Sequence, residues 1–227
     1  MAYMVVLFLL MVLVLVPQWW VKRVFVDYSK NRDDFPGTGA QFAEHIIAEF
    51  KVNNAVVTSG DQSNHFDPEK KAIVLSSEYY SGKSLTAITV AAHEIGHLIQ
   101  LEQNNKWFQL RMVLVRWANK MDKIGIIAVF LMPFGAMFTR SPIITLLLLG
   151  LGFSGMLMNV VAHLVTLPME LDASFGKALP LLKAGKYIRE EDEAGVRKIL
   201  WAAALTYLAA ALSGLLNLTR WLRVLRR

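Results

Sequence analysis

Long apolar runs dominate the pattern of hydrophobic and polar positions along the chain. Four of them occur, at residues 2–16, 124–138, 143–167 and 199–218. Uncharged runs of this kind are typical of transmembrane helices. The first run ends at Pro17 and is followed by Trp19 and Trp20, aromatic residues that favour the membrane–water interface. The pattern therefore predicts about four membrane-spanning helices.

Residues 21–123, between the first two runs, have the mixed pattern of a small folded domain. Helical spacing and runs of β-branched residues predict two helices and two short strands, at residues 37–50, 84–104, 55–58 and 72–76 respectively. Ser84 is the predicted N-cap of the second helix. Residues 107–122 mix aromatic and basic side chains, which favours a helix on the membrane surface.

The expected fold is a mainly α membrane protein with a small α+β domain at the interface. Its predicted parts follow one another as a first transmembrane helix (1–20), the soluble or interfacial domain (21–123), transmembrane helices 2 and 3 (124–167), an intervening segment (168–198), and transmembrane helix 4 with a basic tail (199–227).

Composition and charge support a lipid bilayer as the main environment. Hydrophobic residues make up 55% of the chain, and its net charge is +6. The lysines and arginines lie beside the apolar runs and not on one basic face, so we expect no nucleic-acid partner. The chain has no cysteine, which excludes disulfides and thiolate metal sites.

The distribution of positive charge predicts the orientation in the membrane. If all four runs span, residues 20–123 and 168–198 lie on the same side, and they carry 19 of the 24 lysines and arginines. The positive-inside rule places that side in the cytoplasm. We therefore expect an integral protein of a bacterial-type plasma membrane with these two segments facing the cytoplasm.

The sequence HEIGH, residues 93–97, indicates a metal site. On a helix, His93 and His97 share one face and can direct both imidazoles at one zinc ion. Glu94 projects about 100° away from His93, where it can reach water at the metal and act as a general base. Gly96 in the same helix suggests either that another backbone or side chain approaches the metal-binding face closely or that a small residue packs between helices.

A catalytic zinc ion usually has a third protein ligand. The remaining candidates include the other histidines and the two acidic residues of LPMELDAS; they are His45, His65, His163, Glu170 and Asp172. A helix beginning near Pro168 would point Glu170 and Asp172 about 200° apart, so only one of them could face the metal.

At these residues the sequence resembles the YugP-like neutral zinc metallopeptidases of membranes. The resemblance covers most of the chain through four segments in the same order, NHFDP (64–68), VAAHEIGHLIQ (90–100), LPMELDAS (167–174) and AAALTYLAAAL (202–212). It implies a zincin-like domain and a zinc-dependent membrane peptidase that cleaves peptides or membrane proteins. It also implies that His93, His97 and Glu170 bind one Zn²⁺ and that Glu94 is the catalytic base.

Three residues or segments have possible supporting roles. Asp172 is a candidate hydrogen-bond partner of a ligating imidazole, and His65 is a candidate for orienting the site or stabilising an oxyanion. The segment AIVLS (72–76) is either an edge strand to which a peptide could add or a plain buried strand.

Two other functions are compatible with the same residues. One is an intramembrane metalloprotease of the site-2 type, with Asp172 as third ligand; the short apolar stretch before HEIGH argues against a spanning metal helix. The other is a catalytically silent zinc-binding membrane scaffold.

Overall fold

The protein is mainly helical and contains one small β-sheet. The computed structural model describes residues 2–61 and 63–224, and the side chains of residues 2–10, 13, 14, 136 and 215–224 lie outside that description. In chain order the elements are α1 (Ala2–Asp27), α2 (Gly39–Glu49), β1 (Val56–Gly60), β2 (His65–Asp67), β3 (Ala72–Ser76), α3 (Ser77–Ser81), α4 (Leu85–Glu102), α5 (Lys106–Thr139), α6 (Pro142–Leu171), a π-helix (Asp172–Ala178), α7 (Leu179–Ala184), a 3₁₀ helix (Glu190–Asp192) and α8 (Glu193–Val224).

Three helical stretches among the described residues are long and apolar enough to cross a membrane. They are Lys106–Thr139, Pro142–Ala184 and Glu190–Gly214. They contain the second and third apolar runs of the sequence and residues 199–214 of the fourth, and they support association with a membrane. The first predicted span has a helical backbone within α1, but most of its side chains lie outside the described residues.

Helix α5 differs from the sequence prediction. We expected residues 107–122 to form a separate surface helix before the second span, whereas both belong to one continuous helix of 34 residues. The basic residues between the two parts are good helix formers and do not interrupt it. Pro133 also lies inside this helix, as transmembrane helices tolerate.

The described residues divide into two compact units. The first comprises the residues up to Val16, Gln109–Leu167, and the residues from Tyr207 onward. The second comprises Pro17–Phe108 and Pro168–Thr206. The second unit contains the sheet, helix α4 with the HEIGH sequence, and the LPMELDAS segment from its proline onward.

The sheet has three strands in the order β1–β3–β2, with β1 parallel and β2 antiparallel to β3. Strand β3 is therefore central, and its Ile73 and Leu75 side chains are fully buried. Of the two alternatives for AIVLS, the exposed edge is wrong, because both of its edges are already paired, and the buried strand is confirmed. Strands β1 and β2 form the edges of the described sheet.

Strand β2 was not predicted, because its segment has the composition of a turn. Three residues nevertheless pair with β3 through the register His65–Val74 to Asp67–Ala72. A turn follows directly, in which Asp67 Oδ1 accepts hydrogen bonds from the backbone N–H groups of Glu69 and Lys70.

Helix α4 is the centre of the second unit. Ser84 caps it as predicted, and its Oγ accepts a hydrogen bond from Ala87 N at 3.1 Å. Thr86 Oγ1 donates to Phe25 O of α1. Residues Leu85 to Leu98 are buried without exception, so the histidines of HEIGH are held in the core and not on a surface.

Candidate metal centre

Helix α4 places the two histidines of HEIGH one turn apart on a buried face. His93 and His97 are only 5% and 4% exposed, and their ring centroids lie 4.8 Å apart. The four-residue spacing alone produces this arrangement, because residues i and i+4 of an α-helix are neighbours on its surface.

Glu170 reaches the same point from a distant part of the chain. It lies at the end of α6 and is 0% exposed. Its Oε2 is 3.3 Å from His93 Nε2 and 3.3 Å from His97 Nε2. The candidate ligand atoms of the three residues all lie within 4.8 Å of one another. The three residues could therefore hold one metal ion.

Nδ1 of His97, the ring nitrogen that does not face Glu170, is hydrogen-bonded to Gln100. His97 Nδ1 lies 3.1 Å from Gln100 Oε1, while Gln100 Nε2 donates to Met169 O and to a carboxylate oxygen of Asp172. Since an amide oxygen only accepts hydrogen bonds, the proton of His97 is assigned to Nδ1. The Nε2 lone pair of His97 then points toward Glu170.

Nδ1 of His93, which likewise does not face Glu170, is hydrogen-bonded to Ser174. The Ser174 hydroxyl donates its hydrogen to Leu200 O and lies 3.1 Å from His93 Nδ1. A hydroxyl has one hydrogen, so Ser174 accepts from His93 Nδ1–H. The Nε2 lone pair of His93 is thereby left for a ligand as well.

A metal cation fits this arrangement better than hydrogen bonding within the protein. Both carboxylate oxygens of Glu170 are buried and have no hydrogen-bond partner, and Oε2 lies next to the Nε2 atoms of both histidines. Buried charge of this kind costs several kcal/mol unless an opposite charge compensates it. Tetrahedral zinc with ligands at about 2.0–2.1 Å requires ligand atoms about 3.3 Å apart, which matches the two His–Glu distances.

Glu94 lies beside the three candidate ligands in sequence and is also buried, at 5% exposure. Because it follows His93 directly, the helix turns it about 100° away from the ligand face. It is not one of the three residues whose ligand atoms cluster. A buried carboxylate in this position can accept a proton near the metal without occupying a coordination position.

The segment around Glu170 differs from the prediction, and the difference explains the position of Asp172. No helix begins at Pro168; helix α6 continues through it, and a π-helix starts at Asp172. Asp172 lies outside the ligand cluster, and its Oδ2 accepts hydrogen bonds from Gln100 (2.7 Å) and Asn105 (3.2 Å). Among the described contacts, Asp172 is therefore connected to the His97 imidazole through Gln100.

Gly96 allows the π-helix to approach α4 closely. A Cβ at this position would lie 2.6 Å from Ala173 O and 3.1 Å from Ala173 C, both backbone atoms. The expectation of a close backbone approach at Gly96 is confirmed. The contact between Gly96 and Ala173 packs two helices together, and it also brings the segment after Glu170 next to the helix that carries His93 and His97.

The other histidines lie outside the ligand cluster. His65 is exposed on β2, with its Nδ1 3.2 Å from Ser63 Oγ, and His45 contacts the Tyr187 hydroxyl. Asn159, one turn before His163, donates a hydrogen bond to Asp122 of α5. The His163 ring lies near the Tyr207 ring, at 6.0 Å.

Gln100, Asn105 and Ser174 are the site residues that the sequence reasoning did not identify. Two of them follow a candidate ligand at helical spacing, Gln100 three residues after His97 and Ser174 four residues after Glu170. That spacing was the available signal, since residues three or four apart share a helix face. Asn105 lies beyond the end of α4, where sequence spacing gives no such indication.

Comparison with known proteins agrees with this site. Residues 3–226 match the family described as "Putative neutral zinc metallopeptidase". The chain is 35% identical over 209 residues to "Putative membrane protease YugP" of Bacillus subtilis (strain 168), and the alignment covers 91% of this chain and 89% of that protein. No solved structure matches the chain. The chain therefore belongs to the neutral zinc metallopeptidase family that this match defines.

Proposed function

We propose that the protein is a membrane-embedded, zinc-dependent endopeptidase in which His93, His97 and Glu170 bind the metal. The observation that carries the proposal is the buried Glu170 carboxylate, which has no hydrogen-bond donor and faces two imidazole nitrogens at 3.3 Å. The family match and the name of the Bacillus subtilis relative support the same reaction class.

The chain contributes binding and orientation of the metal. His93 and His97 present their Nε2 atoms, because Ser174 and Gln100 hold the opposite nitrogens. Glu170 supplies negative charge from the third side. When bound, zinc supplies Lewis-acid chemistry that acidifies water and polarises a carbonyl group.

Glu94 is the proposed general base and acid. It takes a proton from the attacking water as the water oxygen bonds to the carbonyl carbon of the scissile peptide. It then transfers that proton to the amide nitrogen as the C–N bond breaks, which releases an amine. Its burial keeps bulk water from competing for this proton.

Strand β2 is the proposed position for an extended peptide substrate. It is an edge of the described sheet, and its Phe66 ring lies 6.3 Å from Phe108, whose ring is 6.5 Å from His97. A peptide that pairs with this edge would extend the sheet on the side that packs toward the metal helix. His65, at the start of β2, stays a candidate for contacting the substrate carbonyl.

The same geometry favours this function over an intramembrane protease of the site-2 type. Glu170, and not Asp172, has its oxygens among the imidazole nitrogens, while Asp172 binds two side-chain amides. We further propose that the site faces the cytoplasm, on the basis of the positive-charge distribution.

The substitution Glu94→Gln tests the mechanism. The variant should keep zinc, because Glu94 is not a proposed ligand, but it should lose peptide cleavage by at least about 10²-fold, since no base accepts the proton. Cleavage of a model peptide and zinc content are measured on the same detergent-solubilised preparation.

Glu102→Gln is the matched control, because Glu102 lies on the same helix and pairs with Lys71 at the surface. It should cleave like the unaltered protein. Normal cleavage by Glu94→Gln would disprove the mechanism, and an unaltered protein that binds zinc but cleaves nothing would indicate a silent scaffold.

A further inference from the structure

We propose that Gln100 is a positioning residue that joins the two ligand-bearing parts of the metal site. The inference rests on the proposed metal site and adds a residue to it. His93 and His97 come from α4, whereas Glu170 comes from the end of α6, about 70 residues later in the chain. Such a site needs a contact that fixes one part against the other before the metal binds.

The side chain of Gln100 contacts both parts at once. Its Oε1 lies 3.1 Å from Nδ1 of the ligand His97. Its Nε2 donates to Met169 O at 2.9 Å, the carbonyl directly before the ligand Glu170. A second hydrogen bond from Nε2, of 2.7 Å, ends on Asp172 Oδ2. One amide thus connects the imidazole ligand to the residues on either side of the carboxylate ligand.

These contacts also fix the direction of the amide. Both Nε2 hydrogens have acceptors, one at Met169 near the end of α6 and one at Asp172 at the start of the π-helix, so only Oε1 can face the imidazole. His97 must then carry its proton on Nδ1 and offer its Nε2 to the metal. Asp172 acts on His97 indirectly, by holding the Gln100 amide in this orientation, with Asn105 as a further donor to the same oxygen.

The Gln100 side chain is buried, so no solvent molecule is available to take over its hydrogen bonds. Gln100 is 0% exposed and is among the largest fully buried side chains of the described residues. Water therefore cannot easily substitute for a lost hydrogen bond of the amide. Gln103, one turn further along the chain, contrasts with it, because Gln103 is exposed and accepts a hydrogen bond from Lys177 at the surface.

The test compares Gln100→Met with Gln103→Met. Gln100→Met keeps the approximate volume but removes all three hydrogen bonds, and zinc affinity measured by competition with a chelator should fall by about 10–100-fold. Gln103→Met should bind zinc like the unaltered protein. Gln100→Asn is the second variant if the first does not fold, because its shorter amide cannot reach both segments.

A double-mutant cycle distinguishes positioning from a general loss of stability. Asp172→Ala should weaken zinc binding severalfold in the unaltered background, but much less when Gln100→Met is already present, because Asp172 acts through that amide. The thermal stability of each metal-free variant is measured alongside. Additive effects in the cycle, or zinc affinity of Gln100→Met within twofold of the unaltered protein, would overturn the proposal.

These readouts are independent of peptide cleavage. If the protein binds zinc and the cycle behaves as expected but no peptide is cut, the positioning role stands and the endopeptidase proposal fails. If cleavage is normal but Gln100→Met binds zinc unchanged, only the positioning role fails.

Discussion

Among the three proposed ligands, Glu170 is the residue whose loss should reduce zinc binding most. It is fully buried and its oxygens have no hydrogen-bond partner, so replacing it would remove a buried negative charge as well as a proposed ligand. Asp172, two residues later, has the same chemistry but two hydrogen-bond donors of its own. The two acidic residues of LPMELDAS therefore have different expected contributions to zinc binding.

Parallel Glu170→Ala and Asp172→Ala variants test this difference. Glu170→Ala should lose stoichiometric zinc, because two imidazoles alone hold the ion weakly. Asp172→Ala should still fill with zinc when zinc is in excess, since only the support of His97 is reduced. Zinc is measured by elemental analysis of the purified proteins. Loss of zinc from Asp172→Ala with zinc retained by Glu170→Ala would instead identify Asp172 as the ligand.

The contact between α4 and the π-helix brings the two segments that carry the proposed ligands together. Glu170 and Asp172 are two residues apart, a spacing that an α-helix directs to different sides, whereas Ser174 lies four residues after Glu170. The i→i+5 hydrogen bonding of a π-helix widens the turn, and π-helical segments are frequent at functional sites. Gly96 supplies the space for Ala173 in this contact.

Gly96→Ala is expected to disturb this contact. The added Cβ would meet backbone atoms of Ala173 that cannot move independently, so we expect a loss of about 1–3 kcal/mol in stability and weaker zinc binding. Thermal unfolding in detergent and chelator competition measure both effects. Gly150→Ala is the control, because nothing lies within 4 Å of the Cβ position there; it should not destabilise the protein. Equal stability of the two variants would contradict the packing argument.

Sequence periodicity predicted those elements whose side-chain pattern is regular. Helix α4 with its Ser84 cap, helix α2 and strand β3 were all predicted, because burial of one face or of a whole strand leaves a pattern in the residues. Strand β2 and the π-helix were not, because pairing with β3 and packing against Gly96 are contacts between distant segments. The HEIGH pair is local and could be read from its spacing, whereas Glu170 came from the family resemblance.

The distribution of lysine and arginine along the whole chain predicts how the protein is oriented in the membrane. The segments that contain HEIGH and the Glu170 region carry most of the positive charge, as expected for segments that stay in the cytoplasm. The turn between α5 and α6, which contains Ser141, should then face the opposite side. A basic cluster at the end of the chain opposes this orientation, so a direct measurement is informative.

Cysteine labelling can determine the orientation, because the chain has no cysteine of its own. Lys70→Cys places a thiol at an exposed position before β3, where the lysine side chain is 80% exposed. A membrane-impermeant maleimide should label Ser141→Cys in intact cells, and it should label Lys70→Cys only after the membrane is permeabilised. The reverse pattern would place the metal site outside the cytoplasm.

Zinc content of the purified, detergent-solubilised protein tests the central claim most directly. The unaltered protein should contain about one zinc ion per chain, and the His93→Ala/His97→Ala double variant should contain almost none while keeping its helical content. A protein without bound zinc after purification in zinc-supplemented buffer, or a double variant that retains it, would contradict the proposed coordination by His93, His97 and Glu170.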